Sequence, residues 1–295
     1  MPLRLVSTTF HVIAACALAG SVAASAPATP TTPGGLAEPA GPVAAAVPAF
    51  SHVVVVVEEN HSFTEVIGNA NAPYISSLAA GGATMAQSFA VTHPSQPNYL
   101  ALFSGSTQGT TSDSCPHTFG AENLGHQLVA AGVTFAGYSQ GMPSVGFTGC
   151  TSGRYARKHN PWIDFSNVPA ADNLRFADFP TNFATLPRVS FVVPDLCNDM
   201  HDCSVATGDS WLRSNLGAYA TWAAANNSLL VVTFDEDDSS ASNRVPTLFS
   251  GAHVAAGSYA ERITHYTMLR TLETIAGVGC AANSCSVSPI SDIWA

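Results

Sequence analysis

Apolar residues in this chain gather in short unbroken runs, each closed abruptly by polar ones. "FSHVVVVVEEN" (50–60) sets five valines in a row and then stops on two glutamates and an asparagine. A strand buried on both faces needs no polar side, so such a run predicts a central strand of a parallel sheet. Similar runs stand at "GVTFAGYS" (132–139), "RVSFVVPD" (188–195), "SLLVVTFDEDD" (228–238) and "RVPTLFSG" (244–251). Between them the apolar spacing lengthens to three and four, and "NLGHQLVAAG", "LRSNLGAYATWAAANN" and "YTMLRTLETIAG" predict amphipathic helices. Strands alternating with helices predict an α/β fold, a mostly parallel sheet covered on both faces. In such sheets ligands bind beyond the carboxyl ends of the strands, so chemistry is expected along that edge.

Three of these ends carry polar clusters. Glu58, Glu59 and Asn60 follow the first strand; Asp195, Asn198, Asp199, His201 and Asp202 follow "RVSFVV"; Asp235, Glu236, Asp237 and Asp238 follow "SLLVVTF". A solvated turn explains any one of them. Only 10% of the residues are charged, however, and three clusters on one edge of so uncharged a chain point to a shared site. Converging carboxylates with an amide oxygen form an all-oxygen cage, which suits one hard divalent cation, calcium or magnesium, better than zinc.

"VTHPSQPNYL" (91–100) sets Ser95 between Pro94 and Pro97, with Asn98 three residues on. A cation beside Ser95 would lower the pKa of its hydroxyl and neutralise an oxygen of a phosphoryl group under attack. Asn98 could donate to the same oxygens, and the two prolines would hold the turn rigid. His159 and His201 are candidates to protonate the departing oxygen, because imidazole titrates near neutrality. "GRYARKHNPW" (153–162) gathers Arg154, Arg157 and Lys158, the last being the single lysine, and predicts a phosphate-capturing patch.

Other classes lack their signatures. No Gly-x-Ser-x-Gly elbow, P-loop or dinucleotide fingerprint is present, which argues against a serine esterase of that type and against a nucleotide cofactor. The formal net charge is -10 with no basic stripe, which argues against nucleic acid as a partner.

Residues 1–26 combine a lone Arg4, an apolar run and small residues near Ala24 and Ala26, and read as an export signal. "IAAC", ending at Cys16, resembles a lipoprotein box, so a lipid-anchored cell-surface protein is the alternative to a secreted one. Residues 27–49 are almost all Pro, Ala, Gly and Thr and read as a tether, which leaves 50–295 as the folded domain. Without Cys16 six cysteines remain, an even number that suits an oxidising compartment. Pairing of neighbours is expected, Cys115 with Cys150, Cys197 with Cys203 and Cys280 with Cys285; a zinc site is the rival, but the spacing lacks its usual close pairs.

"EENHSF", "THPSQPNYL", "YARKHNPW", "NDMHD" and "LLVVTFDEDD", in this order, resemble the phosphoesterase family that joins bacterial acid phosphatases with non-specific phospholipases C, within the alkaline phosphatase superfamily. The resemblance covers most of 50–295 and is strongest to the family's secreted mycobacterial members. It implies a three-layer alkaline-phosphatase-like fold and a secreted phosphomonoesterase that works through a phosphoserine at Ser95. It further implies a metal site made of Glu59, Asn60, Ser95, Asp235 and Glu236, with Asn98 on the phosphate and His159 and His201 stabilising phosphate or protonating the leaving group. Implied substrates are small phosphate esters or phosphoinositide lipids such as phosphatidylinositol 3-phosphate; a monomer is expected, with any transient membrane contact made through a local patch such as 154–158, because the net negative charge repels anionic membranes. The alternative within the family is a phospholipase C-type phosphodiesterase. Relatives with "ENRSF" carry Arg where this chain has His61, and His253 and His265 lie in family-like stretches without an assigned role.

Overall fold

The computed structural model describes residues 46–295; the expected export signal, Cys16 and the tether up to residue 45 lie outside the described residues. Strand β1 (His52–Glu58) leads into α1 (Phe63–Val66), α2 (Pro73–Gly81) and β2 (Ala83–Phe89). Helices α3 (Ser95–Ser104) and α4 (Leu124–Ala130) precede β3 (Phe135–Ser139) and a small hairpin of β4 (Thr151–Ser152) and β5 (Tyr155–Ala156). The chain then forms β6 (Asn173–Arg175), β7 (Val189–Val193), α5 (Val205–Ala225), β8 (Ser228–Phe234), β9 (Thr247–Gly251), β10 (Gly257–Thr264) and α6 (His265–Ala276).

Eight strands make one sheet in the order β10-β2-β9-β8-β1-β7-β3-β6. The valine-rich β1 lies between β7 and β8 and is parallel to both, as its unbroken apolar run predicts. Its residues alternate between two core layers: Val53, Val55 and Val57 pack with Leu100, Phe103, Leu128 and Leu269, while Val54 and Val56 pack with Ile75, Leu212 and Leu216. Helices α3, α4 and α6 thus cover one face and α2 and α5 the other, giving three layers.

The five strands and three helices expected from the runs are present. One of them turns over: β9 is antiparallel to β8 and to β2. The connection at 235–246 contains no helix, and parallel neighbours are usually joined through one. The proline-bracketed turn around Ser95 is also different from expectation. Ser95 opens α3, and Pro97 sits in its first turn, where the N–H that proline lacks would have no intrahelical partner. All three disulfides pair as neighbours.

Candidate active site

Three strand ends and one helix start converge at the carboxyl edge of the sheet. Beyond β1 the chain turns at Asn60, whose φ of 55° lies in the left-handed region that asparagine tolerates better than most residues. Here the Glu59 amide donates to the Asp199 carbonyl (2.8 Å), which joins the loop after β1 to the loop after β7. From the end of β8, the Asp235 amide donates to the Glu58 carbonyl (3.1 Å), and the Asn60 amide donates to Asp235 Oδ1 (3.2 Å). Ser95 enters this corner at the N-terminus of α3. Its hydroxyl lies 3.1 Å from Glu59 Oε2 and 3.3 Å from Glu236 Oε1, and it is 2% exposed.

So many acids in so little water cannot all stay ionised without help. Burial first, then Asp235 and Asp199, push Glu59 well above the usual carboxylate range; burial and Glu236 do the same to Asp235. Burial lifts Asp199 to about 7 and also raises Glu236. The Lys158 ammonium offsets part of this at Glu59, and the His93 imidazole part of it at Glu236.

A cation fits this arrangement. Donor atoms of Glu59, His159 and Asp199 all lie within 4.8 Å of one another, and all three residues are buried. His159 Nε2 is 3.0 Å from Glu59 Oε1 and Nδ1 is 3.5 Å from Asp199 Oδ2. Yet His159 Nε2, Asp199 Oδ2 and Asp235 Oδ2 have no aligned hydrogen-bond partner. Buried polar atoms are nearly always satisfied, so unpaired donors crowded among carboxylates have the character of a metal site.

Not every residue singled out in the sequence serves the site as expected. Asn98 is corrected: its Oδ1 accepts from the amides of Val91 (3.0 Å) and Thr92 (3.1 Å), and its Nδ2 donates to the Thr92 (2.8 Å) and Pro94 (3.2 Å) carbonyls. The amide is engaged in clamping the loop before Ser95 and in reaching Glu236 Oε2 (3.3 Å), so it does not stand free for a phosphate. Arg157 is corrected too. It is 5% exposed and donates to Asp164 and to the carbonyls of Thr148, His117 and Ile163, which makes it a structural hub. Arg154 is exposed, with Nη1 3.4 Å from Cys203 Sγ. Lys158 stays near the chemistry: it donates to Asp113 Oδ2 (2.8 Å), while Asp113 Oδ1 accepts from the Gln96 amide, next to Ser95.

The two histidines part company. Burial pushes His159 well below the usual imidazole range, and the ring is wedged between Glu59 and Asp199, a placement that suits a metal ligand. His201 sits at the surface, its Nδ1 2.8 Å from Asp202 Oδ1. Glu58 belongs to the sheet's other side: both its oxygens are buried and unpaired, and burial, with Asp199 and Asp209 nearby, pushes it well above the usual carboxylate range.

Asp199, from the cluster after β7, joins the buried trio. Three further supporting residues had no role assigned from the sequence. The Tyr99 hydroxyl donates to Glu59 Oε1 (2.6 Å) while its ring stacks on His159, and the signal was there in "SQPNY", because Tyr99 shares a helix face with Ser95. His93 Nδ1 lies 2.8 Å from Glu236 Oε2. His265, held neutral by burial with its pKa lowered to about 4, donates from Nε2 to the Asp235 carbonyl (2.6 Å). His253 lies elsewhere, with Nε2 2.9 Å from Asn227 Oδ1, and His61 pairs locally with Glu65.

Comparison with known proteins places the chain among phosphoesterases. Residues 69–279 match the Phosphoesterase family, a span that includes Ser95, His159, Asp199, Asp235 and Glu236 and begins just after Glu59 and Asn60. The chain is 56% identical over 257 residues to the phosphatidylinositol-3-phosphatase of Mycobacterium tuberculosis, covering 86% of each protein. It is 28% identical over 262 residues to an acid phosphatase of Aspergillus fumigatus, covering 80% of this chain and 58% of that one. Among solved structures, an alkaline phosphatase superfamily protein from Vibrio parahaemolyticus shares the fold, with a TM-score of 0.57 at 12% identity over 84% of this chain and 72% of that one.

Proposed function

The chain belongs to the phosphoesterase family and hydrolyses phosphate esters, and from that premise we propose that Ser95 is the nucleophile of a two-step phosphomonoesterase. The observation that carries this reading is the Ser95 hydroxyl, held at a helix start within 3.1 and 3.3 Å of two carboxylates. Glu59, Asn60, Ser95, Asp235 and Glu236 would hold a calcium- or magnesium-like cation, with His159 and Asp199 extending the set on the far side of Glu59. When bound, that ion supplies Lewis acidity, easing ionisation of the hydroxyl and neutralising charge on a phosphoryl oxygen.

In the first step Ser95 Oγ, having passed its proton to a neighbouring carboxylate, forms a bond to phosphorus as the bond to the alcohol oxygen breaks. The α3 N-terminus favours the negative charge gathered there. The departing alkoxide takes a proton from His201. In the second step a water gives its proton to His201 and bonds to phosphorus as the P–Oγ bond breaks, and Ser95 Oγ takes back the proton held by the carboxylate, releasing phosphate and restoring the hydroxyl. Tyr99 and His265 keep Glu59 and Asp235 in place throughout.

The substrate we propose is phosphatidylinositol 3-phosphate, supported by the name and the high identity of the mycobacterial relative across most of both chains. We also propose export, since three disulfides suit an oxidising compartment. Finding the protein in culture medium, against a palmitate-labelled membrane fraction, separates secretion from lipid anchoring at Cys16.

Phosphate release from p-nitrophenyl phosphate and from phosphatidylinositol 3-phosphate, with and without chelator, tests the reaction. Ser95→Ala is expected to lower both rates by on the order of a thousandfold or more, the loss typical of a removed nucleophile. A folded, metal-loaded wild type that releases phosphate from neither ester would overturn the reading.

A further inference from the structure

A cavity of about 360 Å³ opens beside the site, lined by Asp113, Thr151, Ala156, Lys158, Leu196 and His201, with the Cys115–Cys150 disulfide in its wall. We propose that this cavity receives the alcohol portion of the ester and selects a ring alcohol that carries a second phosphate. The proposal rests on the phosphomonoesterase reading.

Position is the first argument. His201 belongs to both the cavity and the site, its ring 6.1 Å from that of His159. Asp113 accepts from the amide beside Ser95, and Lys158 is the neighbour of His159. An alcohol leaving phosphorus at Ser95 would therefore have this cavity next to it.

Chemistry is the second. The disulfide, Leu196 and Ala156 offer apolar contact suited to the C–H face of a ring. Among them stands the ammonium of Lys158, the chain's single lysine. It has three N–H donors, and Asp113 takes one, which leaves two for an anion. A phosphate attached to the same ring as the scissile one matches those two remaining donors, whereas a plain alcohol brings no charge to meet them.

Rigidity is the third. Arg157 donates to the Thr148 (2.6 Å) and His117 (2.9 Å) carbonyls, fastening the 113–119 and 148–156 segments to each other, as the Cys115–Cys150 bond also does. The Leu196 amide donates to the Arg154 carbonyl (3.1 Å), and Cys197–Cys203 closes the loop behind Leu196. Walls fixed in advance lose little freedom on binding, which is how a recognition pocket gains affinity.

The shared ligand chemistry, a cyclic polyol with two phosphates, occurs both as a lipid headgroup and as a free inositol phosphate. The test measures kcat and KM on glycerol 2-phosphate, inositol 1,3-bisphosphate and soluble dibutanoyl phosphatidylinositol 3-phosphate, for wild type, Thr151→Trp and Lys158→Met. Thr151 is exposed, so the indole narrows the cavity without entering the core. Relative to glycerol 2-phosphate, kcat/KM on the two-phosphate esters is expected to fall at least tenfold in both variants, through KM. A fall on both esters supports the subsite for the free headgroup; a fall on the lipid alone supports it and assigns the lipid as the source. If Thr151→Trp, folded by circular dichroism, keeps wild-type ratios on both, the subsite is wrong while the phosphatase stands. If wild type hydrolyses none of the three, the phosphomonoesterase reading falls and the subsite with it.

Discussion

Tyr99 shows how much of this site depends on groups that never touch substrate. Its hydroxyl is 2.6 Å from Glu59, a buried carboxylate crowded by other acids, and it is a favourable donor in a region short of them. Partners of metal-holding groups are typically worth roughly 10- to 100-fold in metal affinity or activity. Tyr99→Phe keeps the ring stacked on His159 and removes only the hydroxyl, so activity should fall by about that factor and return as calcium or magnesium is raised. Equal loss at every metal concentration would separate Tyr99 from the metal site. Arg157 makes the opposite case, because a residue that invites a substrate role from sequence is buried against Asp164. Arg157→Ala strands that carboxylate, and breaking a buried pair costs about 3–5 kcal/mol. Thermal unfolding should shift down accordingly, while KM for glycerol 2-phosphate in the folded fraction stays put; a large rise in KM with an unchanged melting point would restore Arg157 to the substrate.

Elements, in turn, are placed by contacts that cross the chain. Helix α2 begins on Ala72, which offers no capping side chain, and its first amides are instead taken by Asp209 of α5: Ile75 at 2.8 Å and Tyr74 at 3.1 Å. Asp209→Ala should therefore cost about 2 kcal/mol, within the range for losing a helix cap and leaving amides unpaired, and a melting point equal to wild type would show that α2 needs no outside cap. Gly137 in β3 is similar: a Cβ there would stand 2.1 Å from the Trp162 ring, so Gly137→Ala must displace a buried indole, at about 1–3 kcal/mol by the usual cost of overpacking. Such contacts also explain what could be read in the sequence. The runs in β1, β7 and β8 were legible because burial on both faces leaves no polar residue to interrupt them. Helix α3 was not, because all ten of its residues are buried, so it carries no polar face and no helical period. The edge strand β10, with exposed positions along most of its length, offers no apolar run. Likewise Glu59, Asp199, Asp235 and Glu236 announce themselves by following strands, whereas His93 and His265 matter only because the fold brings distant segments together. Arg154, Arg157 and Lys158, near neighbours in sequence, leave a hairpin and a tight helical turn in different directions and part into surface, core and pocket.

At the scale of the whole molecule, the catalytic corner is a debt in stability that a bound cation can relieve. Glu59, Asp199, Asp235 and Glu236 are all buried with their acidity weakened by loss of water, in a chain whose net charge is already -10. The unfolded chain scatters these ligands, so the cation binds the folded form almost alone, and stability must rise with its concentration by mass action. At a hundred times the dissociation constant the gain is about 2.7 kcal/mol, which for a domain of this size corresponds to roughly 5–10 °C in melting temperature. Calorimetry of the intact protein stripped with chelator, then titrated with calcium, magnesium and zinc in turn, measures that gain directly. The hard cations should raise the midpoint with a saturating dependence, and Glu236→Gln should need more metal for the same rise. A midpoint indifferent to chelator and to all three ions would mean that the acids share protons instead, and the metal site proposed around Ser95 would have to be abandoned.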